Sequence, residues 1–242
     1  MLNKPEISII VPVYNEENRV EKGIKGILDY LSLNKFSWEL IIVDDGSTDR
    51  TVNIVNKLIG KLTNAYLLKS KHLGKGGAIK SGVARANGSW LVFLDVDLAT
   101  PMSELEKFLP FKKNYQVIIG SRKMKGADVQ IHQPKFREFS GKIFTFLTNI
   151  LVTKDISDIT CGFKMYKSDL AKIIFKQSIL TDWSFDAEIL FLAQKQKAKI
   201  KEVPVVWRDD PRTKVNLGKD AADAFLGLLK IRANNILGKY KA

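Results

Sequence analysis

The chain has 242 residues, of which 45% are hydrophobic and 27% are charged, an ordinary balance for a globular protein. Its formal net charge of +13 favours an anionic partner: nucleic acid, an anionic membrane surface or a phosphorylated substrate. The single cysteine, Cys161, excludes an internal disulfide, and no apolar run approaches the ~20 residues that a membrane span needs. The first apolar run is short and precedes a charged segment, so we expect neither a signal peptide nor an N-terminal membrane anchor.

The first hundred residues alternate between short β-branched apolar runs and segments with helical periodicity. Strands are predicted at 6–13, 38–43, 65–68 and 90–94, with a helix after each of the first three. This alternation predicts an α/β fold with a mainly parallel, doubly wound sheet and polar loops at the carboxyl ends of its strands.

The second half predicts a more varied order of elements, and no linker-like stretch divides the chain into separate domains. The predicted elements are a helix at 102–109, a strand at 116–120, a loop at 123–134, a helix at 135–152, an irregular segment at 155–163, a strand at 164–168, helices at 170–175 and 185–196, a strand at 200–207, a charged loop at 209–216 and a helix at 220–237.

Two carboxylates, Asp95 and Asp97, follow the predicted fourth strand. Because one residue separates them, alternation along an extended chain points both side chains the same way. Two ionised carboxylates repel each other unless a cation lies between them, and Mg²⁺ binds one or two carboxylates together with phosphate oxygens. The pair therefore predicts a divalent-metal site at the sheet edge where open α/β folds bind ligands. The alternative is that one aspartate caps the next helix and the other is solvated.

Three more polar loops are predicted at the same sheet edge. Residues 12–17 and the pair Asp44 and Asp45 offer acceptors to a base and a ribose, and the basic, glycine-rich segment 71–78 offers donors to phosphates. Each signal alone is weak, since such segments are more often turns and helix caps. Their order and spacing together describe a nucleoside-diphosphate site. His72 is predicted to be a solvated loop residue.

Four motifs of the first half resemble the inverting family 2 glycosyltransferases of the GT-A fold: IIVPVYNEE, IIVDDGSTD, GKGGAIKSGVARANG and LDVDLATP. Later motifs resemble the dolichyl-phosphate glucosyltransferase branch, a relative of the dolichyl-phosphate mannose synthases: GSR at 120–122, DITCGFKMY at 158–166, WSFDAEIL at 183–190 and EVPVVWRDDPRTKVN at 202–216. The resemblance spans nearly the whole chain. It implies one GT-A domain, with a nucleotide-binding half (1–101), an acceptor and sugar half (102–216) and a C-terminal amphipathic helix (217–242).

The resemblance also implies a reaction, the metal-dependent transfer of a hexose from a UDP-sugar to a polyprenyl (dolichyl-type) phosphate with inversion. Glucose is the first expectation for the sugar. The predicted nucleotide-sugar site combines the loops above with positions that match the family: Pro12, Tyr14, Glu16, Asp44, Asp45, Lys75, Gly76, Asp95, Arg212 and Lys214. Asp95 and Asp97 are the expected ligands of Mg²⁺ or Mn²⁺, with Asp97 as the principal one.

The acceptor side is implied by the later motifs. Arg122 and Arg137 resemble arginines that hold the acceptor phosphate, and Trp183 and Glu188 lie in a motif that faces the sugar and acceptor. Trp183 is as well explained by core packing as by stacking on a sugar. The predicted catalytic set is Asp97, Asp158, Asp186 and Arg122. A base such as Asp158 or Asp186 is optional, because a phosphate monoester is already an anionic nucleophile.

Two predicted helices, 135–152 and 220–240, combine apolar stripes with basic residues, a pattern typical of helices that lie on anionic lipid surfaces. The alternative is that both pack on the sheet. Because a polyprenyl tail must stay in a bilayer, the resemblance implies a peripheral protein on the cytoplasmic face of a membrane.

Other functions stay open at this point. One is transfer of mannose or N-acetylglucosamine from a GDP- or UDP-sugar to polyprenyl phosphate or another acceptor. Another is nucleotide-sugar binding without turnover. A third is a basic nucleic-acid-binding protein, which would need basic and aromatic residues interleaved on one surface. Here the basic residues are spread along the chain, so we expect no nucleic-acid partner.

Overall fold

The structure is a computed structural model that describes residues 4–209 and 217–241. Its elements, in chain order, are β1 (Ile7–Val13), α1 (Val20–Leu33), β2 (Trp38–Asp44), α2 (Thr51–Ile59), β3 (Ala65–Lys69), α3 (Lys75–Arg85), β4 (Trp90–Phe93), a 3₁₀ turn (Met102–Glu104), α4 (Leu105–Phe108), a second 3₁₀ turn (Leu109–Lys113), β5 (Val117–Ser121), β6 (Asp128–Ile131), α5 (Lys135–Leu151), β7 (Lys164–Lys167), α6 (Ser168–Gln177), α7 (Phe185–Lys195), β8 (Ile200–Pro204), β9 (Val206–Arg208) and α8 (Leu217–Ile236).

A seven-stranded sheet in the order β3-β2-β1-β4-β7-β5-β8 forms the centre of the fold. All neighbouring strands in it are parallel except β7, which runs antiparallel to both β4 and β5. The predicted α/β class with a mainly parallel sheet is therefore confirmed. Because β1, β2 and β4 run in the same direction, the polar loops that follow them meet at one edge.

Two hydrophobic cores cover the two faces of this sheet. Along β1, Ile9 and Val11 belong to the core beneath α1 and α2, whereas Ile10 belongs to the core beneath α3, α6 and α7. This alternation follows from the two-residue period of a strand. It explains why the parallel strands are continuous apolar runs, since a sheet that is buried on both faces needs apolar side chains on both.

The basic loop after β3 is shorter than predicted, because α3 begins at Lys75. Gly74, with φ +84°, adopts the left-handed conformation that glycine tolerates best. The Asp45 carboxylate accepts the backbone N–H groups of Leu73 (2.8 Å) and Gly74 (2.9 Å). These bonds fix the loop, so the predicted phosphate loop is an ordered helix start.

The prediction for 123–134 as a loop was wrong, and so was the single strand at 200–207. β6 lies within 123–134 and pairs in parallel with β9, while β8 belongs to the main sheet. The chain changes sheets at Val205, whose N–H still donates to Ser121 O (3.2 Å) while its carbonyl accepts from Asp128 N (3.1 Å). The predicted helix at 102–109 is a short α4 flanked by 3₁₀ turns.

Candidate active site

The ends of β1 and β2 bring the predicted nucleoside-binding residues together. Pro12 lies within β1, and the register pairs Val13 with Asp44, a buried residue whose carboxylate accepts the N–H of Ser47 (3.3 Å). In the next loop, the Tyr14 ring stacks on His72 with 4.2 Å between the ring centroids. This edge offers a carboxylate and an aromatic surface to a nucleoside.

Asp45 holds the neighbouring loop in place. It is buried, and besides its two backbone bonds it lies 2.8 Å from Nδ1 of His72. The geometry gives Asp45 a positioning role for the loop 71–74. His72, predicted to be a solvated loop residue, is exposed but is fixed by Asp45 and by the stacking on Tyr14.

Glu16 reaches the metal-site aspartates through an arginine that the sequence analysis missed. Its carboxylate pairs with Arg19 in a two-pronged contact, with both N–O distances 2.6 Å. Another Arg19 nitrogen lies 3.8 Å from the Asp97 carboxylate. Arg19 therefore links Glu16, in the loop after β1, to Asp97, in the segment after β4.

Asp95 and Asp97 follow β4 at the centre of the edge. Lys75 Nζ lies 2.5 Å from Asp95 Oδ1, and Asp97 Oδ1 accepts the N–H of Ala99 (3.0 Å). Gly162 permits this arrangement, because a Cβ atom at that position would lie 2.1 Å from Asp95 Oδ2. Gly162 is not among the predicted site residues, although it lies in the motif DITCGFKMY at 158–166.

The two carboxylates have different protonation equilibria. Burial and the charge of Asp95 raise the pKa of Asp97 above its usual range. Burial also acts to raise the pKa of Asp95, but the charge and hydrogen bond of Lys75 outweigh it and leave that pKa below its usual range. A divalent cation between them would remove the repulsion that contributes to the Asp97 shift.

This donor set fits a divalent cation that prefers oxygen ligands. Carboxylates suit Mg²⁺ and Mn²⁺, but no group of three or more His, Cys, Asp or Glu side chains able to hold a metal occurs within the described ranges. Oxygens of a diphosphate would complete the ligand set. Asp95 and Asp97 therefore suit a metal ion that arrives with, or is held by, a nucleoside diphosphate.

Gly76 has a packing role in the structure. Its N–H donates to Thr181 O (3.2 Å), and a Cβ atom there would lie 2.7 Å from Cβ of Phe185. Its N–H is thus engaged within the protein, whereas the ammonium group of neighbouring Lys75 lies at the metal-site carboxylates.

Asp186 is paired with a buried lysine. It forms a short ion pair with Lys164 of β7, which is almost completely buried. Lys164 and Arg122 also act to lower the pKa of Asp95, which places this pair near the metal-site carboxylates. The Asp186 carboxylate is thus engaged by the Lys164 ammonium group within the protein.

Arg122, which directly follows β5, forms a two-pronged ion pair with Asp158. Its Nε and one terminal nitrogen each donate to a different oxygen of Asp158 at 2.7 Å, and its backbone N–H donates to the same carboxylate at 2.9 Å. Such bidentate, charge-assisted pairs are the strongest hydrogen bonds in proteins. The charge of Arg122 overcomes the effect of burial and holds the pKa of Asp158 at about 2.

This pairing argues against Asp158 as a base. The residue is completely buried, both its oxygens accept from Arg122, and a carboxylate with so low a pKa accepts a proton poorly near neutral pH. Its geometry is that of a residue that orients Arg122.

A cavity of about 770 Å³ opens beside Arg122. Basic and apolar side chains form most of its lining, together with polar groups that include the Glu138 carboxylate. The lining includes Arg122, Lys123, Arg137, Lys142, Phe144, Leu147, Trp183, Trp207 and Phe225. Trp183 lies in this wall and is 45% exposed, so it is placed to contact a ligand.

Glu188 does not line this cavity. It is completely buried, and its carboxylate accepts from the N–H groups of Ile179 (3.0 Å) and Leu180 (2.9 Å) and from the hydroxyl of Tyr240 (2.6 Å). These contacts anchor the segment after α8 to α7. Arg212 and Lys214, predicted to contact the donor diphosphate, lie outside the described residues.

Comparisons with known proteins agree with the fold. The family model described as "Glycosyl transferase family 2" matches residues 8–175. Curated relatives named dolichyl-phosphate beta-glucosyltransferase include one of Dictyostelium discoideum, 32% identical over 97% of this chain and 76% of its own length. The human protein of the same name is 30% identical over 98% of this chain and 78% of its own length.

Solved structures show the same fold. Glucosyl-3-phosphoglycerate synthase from Mycobacterium tuberculosis in complex with UDP superposes with a TM-score of 0.69 at 20% identity, covering 95% of this chain and 80% of that one. A complex of that enzyme with Mn²⁺, UDP-glucose and phosphoglyceric acid gives a TM-score of 0.66 at 19% identity, covering 95% of this chain and 80% of that one.

The fold and the family match together define a glycosyltransferase with a GT-A domain. The chain belongs to glycosyl transferase family 2, in the branch of the dolichyl-phosphate β-glucosyltransferases. This confirms the family and enzyme class that the sequence motifs predicted, and it does not favour a nucleic-acid-binding protein. Within the described ranges, no helix has both the length and the apolar character needed to cross a membrane.

Proposed function

We propose that the protein transfers glucose from UDP-glucose to a polyprenyl phosphate of the dolichyl type, with inversion and with Mg²⁺ or Mn²⁺ as cofactor. The observation that carries this proposal is the position of Arg122. It lines a cavity with basic and apolar walls, and its charge also acts on Asp95 at the carboxylate edge. A phosphate on an apolar chain matches that cavity, and a nucleoside diphosphate with a metal ion matches that edge.

The donor would bind across the ends of β1, β2 and β4. Tyr14 and Asp44 lie where the nucleoside would bind, and Lys75 places a positive charge beside the diphosphate. A divalent ion held by Asp97 and Asp95, when bound, would neutralise the charge that develops on the departing UDP.

The acceptor phosphate is its own nucleophile. One of its oxygens attacks the anomeric carbon, the bond from that carbon to the β-phosphate oxygen breaks, and UDP leaves with the electron pair. No proton has to be removed at neutral pH, which agrees with the engagement of Asp158 by Arg122 and of Asp186 by Lys164. The cations of the cavity would hold the second anion close to the first, and most of the catalytic effect would come from this positioning.

Two cations besides Arg122 are placed to bind the acceptor phosphate. Arg137 lies on α5 and lines the cavity. Lys123 lines it as well, and its ammonium group donates to Thr145 Oγ1 (2.6 Å) on the same helix. Burial lowers the pKa of Lys123 below its usual range, so an anion in the cavity would stabilise its charged form.

We also propose that α5 lies on the cytoplasmic face of a membrane. Four apolar side chains at helical spacing on α5 are 60–66% exposed: Phe136, Phe139, Phe146 and Ile150. The other side of α5 packs against the hydrophobic core through Phe144, Leu147 and Leu151, which are partly buried. α8 buries Leu228 and Ile231 in the core and leaves Phe225, Leu226 and Leu229 40–50% exposed.

The exposed stripe, defined as these four side chains, supports interfacial binding because apolar and basic residues share one helix. The same helix lines the acceptor cavity, so a polyprenyl tail would pass directly from the bilayer to Arg122. The free, buried Cys161 fits the reducing environment of the cytoplasmic side.

Turnover of a panel of nucleotide sugars with polyprenyl phosphate in detergent, with Mg²⁺ or Mn²⁺, tests this function. We expect transfer from UDP-glucose, loss of transfer with EDTA, and an α-to-β change at the anomeric carbon by NMR. Transfer from GDP-mannose or UDP-N-acetylglucosamine alone would contradict the donor. UDP binding with no transfer from any donor would contradict the acceptor.

A further inference from the structure

Trp207, on β9, occupies a position between the two parts of the site. A small pocket beside Asp95 is lined by Leu94, Asp95, Ala99, Thr100, Gly162, Phe163 and Trp207, and Trp207 also lines the large cavity beside Arg122. Of the described residues that line these two spaces, Trp207 alone lines both. The Trp207 side chain therefore lies between the small pocket beside Asp95 and the large cavity beside Arg122.

The backbone on each side of Trp207 is held by the segment that follows the metal-site carboxylates. The N–H of Val206 donates to Oε2 of Glu104 at 3.1 Å, and the N–H of Arg208 donates to the carbonyl of Ala99 at 2.9 Å. Ala99 in turn donates its own N–H to Asp97 at 3.0 Å. The position of Trp207 is thus coupled to the turn that carries the metal-site carboxylates.

The ring of Trp207 lies against the cation of the acceptor cavity. The guanidinium carbon of Arg122 is 5.2 Å from the centroid of the ring, which is within the range of a cation–π interaction. Asp158 fixes the edge of the guanidinium group through two hydrogen bonds, while the indole covers its face. With edge and face both fixed, Arg122 has one orientation toward the cavity.

We propose that Trp207 is a positioning and specificity residue: it orients Arg122 toward the acceptor phosphate, and it closes the pocket beside Asp95 to water from the acceptor cavity. This inference rests on the proposed function, because it concerns which nucleophile, the acceptor phosphate or water, attacks the anomeric carbon of the donor. The sequence analysis gave Trp207 no role, although it lies within the quoted motif at 202–216.

The two competing reactions differ in the nucleophile. In transfer, an oxygen of the acceptor phosphate bonds to the anomeric carbon, the bond to the β-phosphate oxygen breaks, and glucosyl lipid phosphate and UDP form. In hydrolysis, a water oxygen bonds to that carbon, the same bond breaks, and the water loses a proton to solvent, giving glucose and UDP. Exclusion of water favours the first reaction.

Three substitutions separate the functions of the indole. Trp207→Phe keeps an aromatic face for Arg122, Trp207→Leu keeps apolar volume without that face, and Trp207→Ala removes both. Trp38→Leu is the matched control, since Trp38 begins β2, at the strand end opposite the metal site. For each variant, glucose and glucosyl lipid are quantified from UDP-glucose and polyprenyl phosphate, together with the Kd for UDP with Mn²⁺ and the melting temperature.

We expect Trp207→Leu to raise the KM for polyprenyl phosphate about five- to tenfold, in line with loss of a cation–π contact. Trp207→Ala should do the same and also raise the ratio of hydrolysis to transfer at least about fivefold, because it opens the wall to water. For Trp207→Phe and Trp38→Leu, both the KM for polyprenyl phosphate and the ratio of hydrolysis to transfer should stay within about twofold of the wild type.

An unchanged KM for polyprenyl phosphate in Trp207→Leu and an unchanged product ratio in Trp207→Ala, with wild-type transfer intact, would overturn the role of Trp207 alone. Equal increases of the KM for polyprenyl phosphate in Trp207→Phe and Trp207→Leu would overturn the contribution of the aromatic face. If Trp207→Ala fails to fold, the difference in KM between Trp207→Phe and Trp207→Leu still tests whether the indole ring orients Arg122. Failure of the wild type to use polyprenyl phosphate would overturn the proposed function and this inference together.

Discussion

The donor edge and the acceptor cavity are built in opposite ways. The donor edge, formed by the residues that follow β1, β2 and β4, is made of carboxylates whose partners are lysine, arginine and backbone N–H groups. The proposed acceptor cavity combines cations with aromatic and aliphatic side chains, and its lining also includes the Glu138 carboxylate. One region is suited to a hydrated metal–diphosphate, and the other to a phosphate with an apolar tail.

This difference explains how a protein can bring two anions together. Repulsion between a diphosphate and a phosphate monoester opposes the reaction, and each region supplies positive charge in a different form. A metal ion would do so at the donor edge, and fixed guanidinium and ammonium groups do so at the cavity. Under the proposed function, the net charge of +13 agrees with two anionic ligands.

The largest expected effect is at the donor edge. Asp97→Ala removes the proposed principal metal ligand and should lower kcat/KM about 10³-fold, because a bound metal would supply several kcal/mol to the transition state. Turnover with saturating Mn²⁺ and the melting temperature measure this. The control is Asp29→Ala, an exposed carboxylate on α1. Near-normal rates in Asp97→Ala would remove the metal assignment.

The next largest effect concerns the cavity. Arg122→Lys keeps a positive charge beside Asp158 but loses the two-pronged contact, so we expect acceptor kcat/KM to fall about 10²-fold. The Kd of UDP with Mn²⁺ should change less than about twofold. Arg85→Lys is the matched control, because Arg85 also covers an aromatic ring, that of Tyr66, and faces Glu39. A greater loss of UDP binding than of acceptor use would place Arg122 on the donor side.

A third substitution tests the close packing behind Asp95. Gly162→Ala places a Cβ atom where Asp95 Oδ2 now lies, so the carboxylate must shift. We expect about a tenfold loss of kcat/KM, since displacements of about 1 Å at a reacting centre can cost up to 10²-fold. Kinetics at several Mn²⁺ concentrations check this, and full activity at low Mn²⁺ would mean that the position of Asp95 is not critical.

The smallest expected effect concerns the exposed stripe. Replacing Phe139 and Phe146 together with glutamate should weaken binding to anionic vesicles about fivefold or more, through lost apolar burial and added repulsion. Turnover of a short-chain acceptor in detergent should not change. Leu33→Glu, at the exposed end of α1, is the control in vesicle sedimentation. Equal binding by the stripe variant and the wild type would exclude α5 as the membrane contact.

The donor edge could be predicted because its parts are local in sequence. Each polar loop follows its own strand, and parallel strands bring their carboxyl ends together. Asp44, Asp95, Asp97 and Lys75 lie at this edge for that reason. Gly76 was assigned to the nucleotide because a glycine-rich loop resembles a phosphate loop, but only the packing of α3 against Phe185 shows what that glycine permits.

The acceptor cavity could be predicted only in part, because its contacts join distant segments. The partner of Arg122 is Asp158, and nothing in the sequence distinguishes a paired carboxylate from a free base. β6 and β9 pair across 70 or more residues. The two-stranded sheet that carries Trp207 therefore has no local sequence pattern that predicts it. Glu188 lies one helical turn from Ser184, near Trp183, yet it points into the core and holds Tyr240.

A crossed titration tests most directly whether the donor edge and the acceptor cavity are two separate sites. UDP with Mn²⁺ and a short-chain polyprenyl phosphate are each titrated into the wild type, Asp97→Ala and Arg122→Lys. We predict that Asp97→Ala loses UDP–Mn²⁺ binding and keeps the lipid phosphate, whereas Arg122→Lys does the opposite. Loss of both ligands in either correctly folded variant would contradict the division of the site into these two regions.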